Sequence, residues 1–339
     1  MYSRYIRVFL IFAALSMLIF EAPSAEPWRF IAVGDSRGSD NGVNTPILTE
    51  IANQIISQNA EFVVFPGDLV DGYVNQTTLQ SQLMHWRDIM QPVYNAGIGV
   101  YAVRGNHDIG SPAGTTAWNN VFSGNYALPQ NGPSGEQNLT YSFAHKNVFV
   151  LGLDEYVNNM RVNQTWINGQ FAANNKAHVF VFGHVPAFQA QHTDNLDDYP
   201  TQRNAFWASI KAEGGRAYFA GHDHFYDHAR IDDGDGNYKN DVHQFIVGTA
   251  GAPLYSWAPP YTGNNAPYTP INRYHATQYG YTLVEIDGIN AKISWWQRMS
   301  AGVYQQQGVV FIYTVVPEPS IIAVILFGIG GIILRKKTV

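Results

Sequence analysis

Asp35, Asp68, Asn106 with His107, His184, and His222 with His224 share one setting in this chain. Each follows a short apolar run, and a glycine directly precedes the first residue of each group: Gly34, Gly67, Gly105, Gly183 and Gly221. Runs such as Phe62-Val63-Val64-Phe65, stopped by turn residues, read as buried strands. A glycine at a strand tip lets backbone and ligand approach closely. Carboxylate, amide oxygen and imidazole together suit borderline and hard divalent ions such as Zn, Mn and Fe. Two such ions sharing one carboxylate can clamp the attacking and leaving oxygens of an in-line phosphoryl displacement, and water bound to them loses a proton near neutral pH. Asp68, placed straight after Pro66-Gly67, is the candidate for that shared carboxylate. One histidine after a strand is more often structural than a ligand. Five polar clusters at equivalent strand ends are hard to explain by packing alone.

These side chains meet only if their strands lie side by side. Strand patterns at 28–33, 62–65 and 99–103 alternate with helical spacing at 44–58 and 78–96. A hairpin pattern over 141–151 follows, then a helix at 164–173, a strand at 178–182, a helix at 203–212 and a strand at 216–220. This alternation predicts a largely parallel α/β sheet covered by helices. Ligands of such sheets bind beyond the carboxyl ends of the strands. Later strands near 243–247, 279–286, 291–297 and 308–314 have no helices between them and are expected to pair antiparallel. Residues 109–138, rich in Gly, Asn, Pro and Ser, read as a surface excursion with one short helix around Trp118. With no repeat or interior linker, residues 26–314 read as a single catalytic domain.

Composition narrows the classes. The chain has 339 residues, 46% of them hydrophobic and 14% charged, with a net charge of -6 and no cysteine. That supports a substantial core and excludes disulfides and thiolate metal sites. No nucleic-acid-binding surface is expected without a basic excess. Residues 1–25 carry Arg4 and Arg7, an apolar run from Val8 to Phe20 and Ala22-Pro23-Ser24-Ala25, the layout of a secretory signal peptide. At the other end Val316-Pro317-Glu318-Pro319 leads into an apolar run from Ile321 to Leu334 and then Arg335-Lys336-Lys337. Residues 315–339 thus resemble a PEP-CTERM sorting signal. The resemblance implies export in a Gram-negative bacterium to the periplasm, envelope or cell surface. It also implies processing by an exosortase-type machinery, and membrane attachment through this segment beforehand.

The set Gly34-Asp35, Gly67-Asp68, Gly105-Asn106-His107-Asp108, Gly183-His184 and Gly221-His222-Asp223-His224 resembles the calcineurin-like metallophosphoesterase superfamily, which includes purple acid phosphatases. The resemblance implies a four-layer αββα sandwich of two mixed sheets with helices outside. It implies two metal ions (Fe, Zn or Mn), one held by Asp35, Asp68 and His224, the other by Asp68, Asn106, His184 and His222. His107 would meet the substrate phosphate or protonate the leaving oxygen, with Asp108 orienting it. The implied activity is hydrolysis of phosphomonoesters by a metal-bound hydroxide. A phosphodiesterase or nucleotide hydrolase on the same site is the alternative, as is a catalytically weak surface or matrix protein retaining the fold.

One position departs from the superfamily pattern. Its first motif usually carries a histidine two residues after the aspartate, where this chain has Arg37. Arginine offers no lone pair to a metal. Purple acid phosphatases place a tyrosine three residues after the shared aspartate; here that residue is Asp71. Asp71 could complete the first site, or pair with Arg37, or leave the site partly open while Arg37 clasps a substrate phosphate bidentately. Asp232-Asp233-Gly234-Asp235-Gly236-Asn237 resembles a calcium loop but has Tyr238 where glycine belongs, so a polar hairpin turn is expected. The aromatic segment Tyr255–Tyr281 is expected to be an ordered surface loop. His228 is expected to pack, and His85, His145, His178 and His192 to be structural or exposed.

Overall fold

A computed structural model describes residues 26–315 apart from 73 and 111–113. The expected signal peptide and the sorting segment beyond Val315 lie outside the described residues. In chain order the strands are β1 (Trp28–Ala32), β2 (Arg37–Asp40), β3 (Ala60–Pro66), β4 (Gly99–Val103), β5 (Tyr141–His145), β6 (Val148–Leu153), β7 (His178–Gly183), β8 (Ala217–Ala220), β9 (Tyr226–Asp232), β10 (Val242–Val247), β11 (Thr269–Ala276), β12 (Gly280–Asp287), β13 (Asn290–Ser300) and β14 (Val303–Thr314). The helices are α1 (Thr45–Ser57), α2 (Gln76–Asn95), α3 (Gly114–Val121), α4 (Gln164–Ala173) and α5 (Pro200–Ala212). Among the described residues no helix is long and apolar enough to cross a membrane.

Two mixed sheets result. One has the order β14-β13-β12-β1-β3-β4, the other β11-β9-β10-β8-β7-β6-β5. β1, β3 and β4 run parallel, as do β6, β7, β8 and β10. Within each sheet, the strands carrying expected ligands therefore end on the same side.

The layers follow from alternation along each strand. On β7, Phe180 and Phe182 join the core between the sheets, while Val179 and Val181 join the core under α4 and α5. On β8, Ala217 and Phe219 face inward, Tyr218 and Ala220 outward. Phe30 of β1 stacks on Phe62 of β3 at 4.6 Å and meets Phe180 of the other sheet edge-on at 5.0 Å. Burying each such ring stabilises the fold by about 2 kcal/mol. α1 buries Ile47, Leu48, Ile51, Ala52 and Ile55 on one face, and the Asn44 side chain caps it by accepting from the Ile47 N–H. α2 and α3 add Leu79, Leu83, Trp86 and Trp118 to the same layer. α4 and α5 cover the second sheet with Ile167, Phe171, Phe206, Trp207 and Ile210. The sum is the four-layer αββα sandwich.

Two expectations need correction. β10 does not pair antiparallel with the C-terminal strands; it runs parallel to β8 and antiparallel to β9. β9 returns the chain so that β10 re-enters in the direction of β8, a return that elsewhere in the fold is made by a helix. Its sequence, Tyr226-Asp227-His228-Ala229-Arg230-Ile231-Asp232, hides a strand behind charged residues. The segment from Tyr255 to Tyr281 is also not wholly loop, since β11 pairs with β9 as an edge strand.

Candidate metal centre

The strand tips bring six of the named side chains into one cluster. Oxygens of Asp35 and Asp68 and a ring nitrogen of His184 lie within 4.8 Å of one another. His184 Nε2 stands 3.5 Å from Asp68 Oδ1 and 3.1 Å from Asn106 Oδ1. Asn106 Oδ1 in turn lies 3.2 Å from His222 Nδ1. On the other side, His224 Nε2 lies 3.5 Å from Asp35 Oδ1.

The local backbone is shaped for this convergence. Asp35, Asp68 and His222 adopt positive φ values of 61°, 50° and 69°. Left-handed backbone at a non-glycine residue costs about 1–3 kcal/mol and persists where its surroundings hold it in place. Backbone bonds do so here: His222 N–H donates to Asp35 Oδ1 and His107 N–H to Asp68 Oδ1, both at 3.0 Å. A Cβ on Gly105 would collide with Asp68 Oδ1, and one on Gly221 with Asp35 Oδ2. Both positions therefore require glycine.

Donor chemistry fits a cation. Asp35 Oδ2 is buried without a hydrogen-bond partner. Burial, then the neighbouring Asp68 charge, push the Asp35 carboxyl well above its usual range. Burial acts on Asp68 too, but the surrounding imidazoles and the His107 N–H bond oppose it, and Asp68 is lowered. The two neighbouring carboxyls are thus pushed in opposite directions. His184 and His224 each donate from Nδ1 to a carbonyl oxygen, of Pro66 and Pro253, both at 2.8 Å. That tautomer leaves Nε2 lone pairs facing the cluster. Burial lowers His184 to about 4; burial and then Arg37 lower His224 to about 3. Both rings are neutral, the form that binds metal.

The remaining expected residues sit around this cluster. His107 Nδ1 donates to the Asp71 carbonyl at 2.5 Å, which turns Nε2 toward Asp68 Oδ2 at 4.0 Å. Asp108 does not orient His107. Its buried carboxylate accepts from Gly105 N–H at 2.8 Å, Leu69 N–H at 3.2 Å and Val70 N–H at 3.3 Å, stapling the Asp68 loop to the Asn106 loop. Arg37 pairs with Asp71 at 3.4 Å, stands 3.8 Å from Asp68 Oδ2 and donates to Tyr255 Oη at 3.5 Å. The Asp71 carboxylate, 55% exposed, faces the guanidinium at the rim.

Several residues were not legible as site residues. Glu155 is buried and accepts His184 N–H at 2.6 Å, Val185 N–H at 2.8 Å and the Tyr218 hydroxyl at 2.6 Å. Burial lifts it to about 7. Asp194 Oδ1 lies 3.2 Å from His222 Nε2 and raises that imidazole against the effect of burial. His192, expected to be structural or exposed, lies beside the cluster. Its Nδ1 donates to buried Asp223 at 2.6 Å and its ring packs on His222 at 4.3 Å. Asp223 at least lies within the His222–His224 motif; nothing in the sequence around Glu155, Asp194 or His192 marks them.

Comparison with known proteins agrees with this picture. Residues 29–226 match the family described as calcineurin-like phosphoesterase. A search of curated proteins finds no match. Among solved structures, the purple acid phosphatase PPD1 from yellow lupin (Lupinus luteus) seeds superposes with a TM-score of 0.66 at 14% identity over 86% of this chain. The match spans 54% of the lupin chain, little more than half its length. PhoD gives a TM-score of 0.58 at 10% identity, covering 86% of this chain and 70% of its own. GAP50, described as the anchor in the inner membrane complex of Plasmodium, gives 0.55 at 13% identity over 86% of this chain and 90% of its own. At these identities the likeness concerns the fold.

Proposed function

The chain belongs to the calcineurin-like phosphoesterase family, and on that premise we propose that it is an exported phosphatase using two metal ions to hydrolyse phosphomonoesters. The observation that carries this reading is the convergence of Asp35, Asp68 and His184 ligand atoms within 4.8 Å, with Asp35 Oδ2 buried and unpartnered. Asp35, Asp68 and His224 would hold one ion, and Asp68, Asn106, His184 and His222 the other. Bound there, the ions would supply Lewis acidity toward the phosphoryl group and an activated water.

The protein's own groups do the rest. His107, tied through Nδ1 to the Asp71 carbonyl, carries its transferable proton at Nε2 when protonated. It would meet the leaving oxygen. His192, tied to Asp223, offers a second imidazole beside His222. Arg37 and Tyr255 form a polar wall on which phosphoryl oxygens could be bound. Export rests on residues 1–25 and on the C-terminal apolar and basic segment, which an exosortase-type machinery would process.

A second reading, a surface protein with weak catalysis, is favoured by Arg37. Its guanidinium already stands 3.8 Å from Asp68 Oδ2, where it competes with a cation. The test is turnover of p-nitrophenyl phosphate and of its bis-ester by the purified protein loaded with Mn, Zn or Fe. Monoester hydrolysis is expected to be faster. Faster diester hydrolysis would make it a phosphodiesterase, and no turnover with any metal would leave the second reading.

A further inference from the structure

Of the three imidazoles proposed as ligands, His222 is turned the other way round. His184 and His224 donate Nδ1–H to carbonyl oxygens and face the cluster with Nε2. His222 faces it with Nδ1, 3.2 Å from Asn106 Oδ1, while its Nε2 lies 3.2 Å from Asp194 Oδ1. Nε2 has no other hydrogen-bond partner among the described residues. An ionised carboxylate only accepts, so the proton between His222 and Asp194 belongs to Nε2. In the neutral ring the Nδ1 lone pair then faces Asn106 Oδ1, the same oxygen that His184 Nε2 faces at 3.1 Å. Two imidazole lone pairs and an amide oxygen converge with no proton among them, which is a donor set for a cation.

The segment that carries Asp194 is fixed against the residue next to His222. The buried Asp223 carboxylate accepts Gln191 N–H and His192 N–H, both at 3.0 Å, and the His192 ring at 2.6 Å. That ring lies against His222 with centroids 4.3 Å apart. On the far side of Asp194, Asn195 Nδ2 donates to His192 O at 2.8 Å and Leu196 N–H to Pro186 O at 3.2 Å. Asp197 then pairs with the buried Arg203 side chain. Asp194 is thus held between anchored residues on both sides, although its own side chain is 53% exposed against 4% for His222.

We propose that Asp194 is a positioning residue for one of the two proposed ions: it keeps the His222 proton on Nε2 and so turns the Nδ1 lone pair toward the cluster. This rests on the two-ion reading, in which His222 belongs with Asp68, Asn106 and His184. A ligating imidazole usually gives its other N–H to a carboxylate or carbonyl, and removing that partner typically costs about 10–100-fold in metal affinity. For His184 and His224 the partner is a backbone carbonyl; for His222 it is a side chain that substitution can remove. Without Asp194 the ring is free to carry its proton on Nδ1 and donate it to Asn106 Oδ1, which closes that ligand position. The loss should therefore fall on the ion assigned to His222 and spare the one assigned to Asp35 and His224.

The experiment is a dye-competition titration of the purified protein with Zn²⁺, run beside Asp194→Ala and Asp194→Asn. The unsubstituted protein is expected to take up two ions. Asp194→Ala should weaken one of them by about 10–100-fold and leave the other unchanged. Asp194→Asn removes the charge but keeps an oxygen that accepts from Nε2–H, so its affinities should lie nearer the unsubstituted protein than those of Asp194→Ala. Two ions bound with unchanged affinities in Asp194→Ala would overturn the proposal. Equal weakening of both ions, or equal losses in the alanine and asparagine variants, would overturn it too, by reducing Asp194 to a nearby charge. Fewer than two ions on the unsubstituted protein would instead remove the two-ion reading on which it rests.

Discussion

At the scale of single residues, Asp68 is held from several sides. It has left-handed backbone, accepts from His107 N–H and lies next to the His184 ring. Asp68→Asn removes the charge shared between both proposed ion sites, so bound metal measured by elemental analysis should fall to near zero and turnover should vanish with it. Asp71→Asn should leave metal content at the wild-type level, because that carboxylate is spent on Arg37 at the rim. A drop in metal would make Asp71 a ligand after all. His107→Ala should keep its metal and lose about 10²–10⁴-fold in turnover, the usual range for a general acid. Unimpaired turnover would shift that role to His192.

Among the elements, the tip of β7 depends on a carboxylate from the end of β6. Glu155 receives two successive N–H groups, of His184 and Val185, and the Tyr218 hydroxyl. A glutamine there presents an NH₂ to N–H donors and leaves buried groups unpaired, at a cost of about 1–3 kcal/mol. Glu155→Gln should therefore lower the urea midpoint and weaken metal affinity in a dye-competition titration, although Glu155 is not itself among the ligands. Equal metal affinity in the two proteins would reduce Glu155 to a purely structural role. β10 shows that missing helices do not dictate antiparallel pairing throughout, since a strand, β9, can return the chain as well as a helix can.

For the whole molecule, acid sensitivity follows from buried imidazoles between the sheets. His228 has an ordinary value of 6.5 that falls to about 3 in the fold. Between these values the unfolded chain binds a proton that the folded chain does not. Stability is then complete above about pH 6.5 and declines as pH falls toward 3, by up to ~1.4 kcal/mol per pH unit for each such imidazole. Urea unfolding between pH 7.5 and 5 should show this slope, and His228→Phe should flatten it. A slope unaffected by the substitution would contradict the assignment.

Much of this protein could be read without coordinates. The six cluster residues, their place at strand tips and the spans of α1 and α4 all follow from local patterns: apolar runs, glycine punctuation and helical spacing. Those patterns are written in neighbouring residues, so a single sequence displays them. What holds the cluster is not local. Glu155 reaches His184 across 29 positions, His107 leans on a carbonyl 36 positions away, and His222 and Asp194 are 28 apart. Asp108 was expected to orient its sequence neighbour; folding put it instead on backbone N–H groups 38 and 39 positions away. Such partners are chosen by how loops from separate strands pack above one sheet edge, a distance in space that no periodicity encodes. The types of the proposed ligands thus belong to the sequence, whereas their tautomers and their supports belong to the tertiary structure.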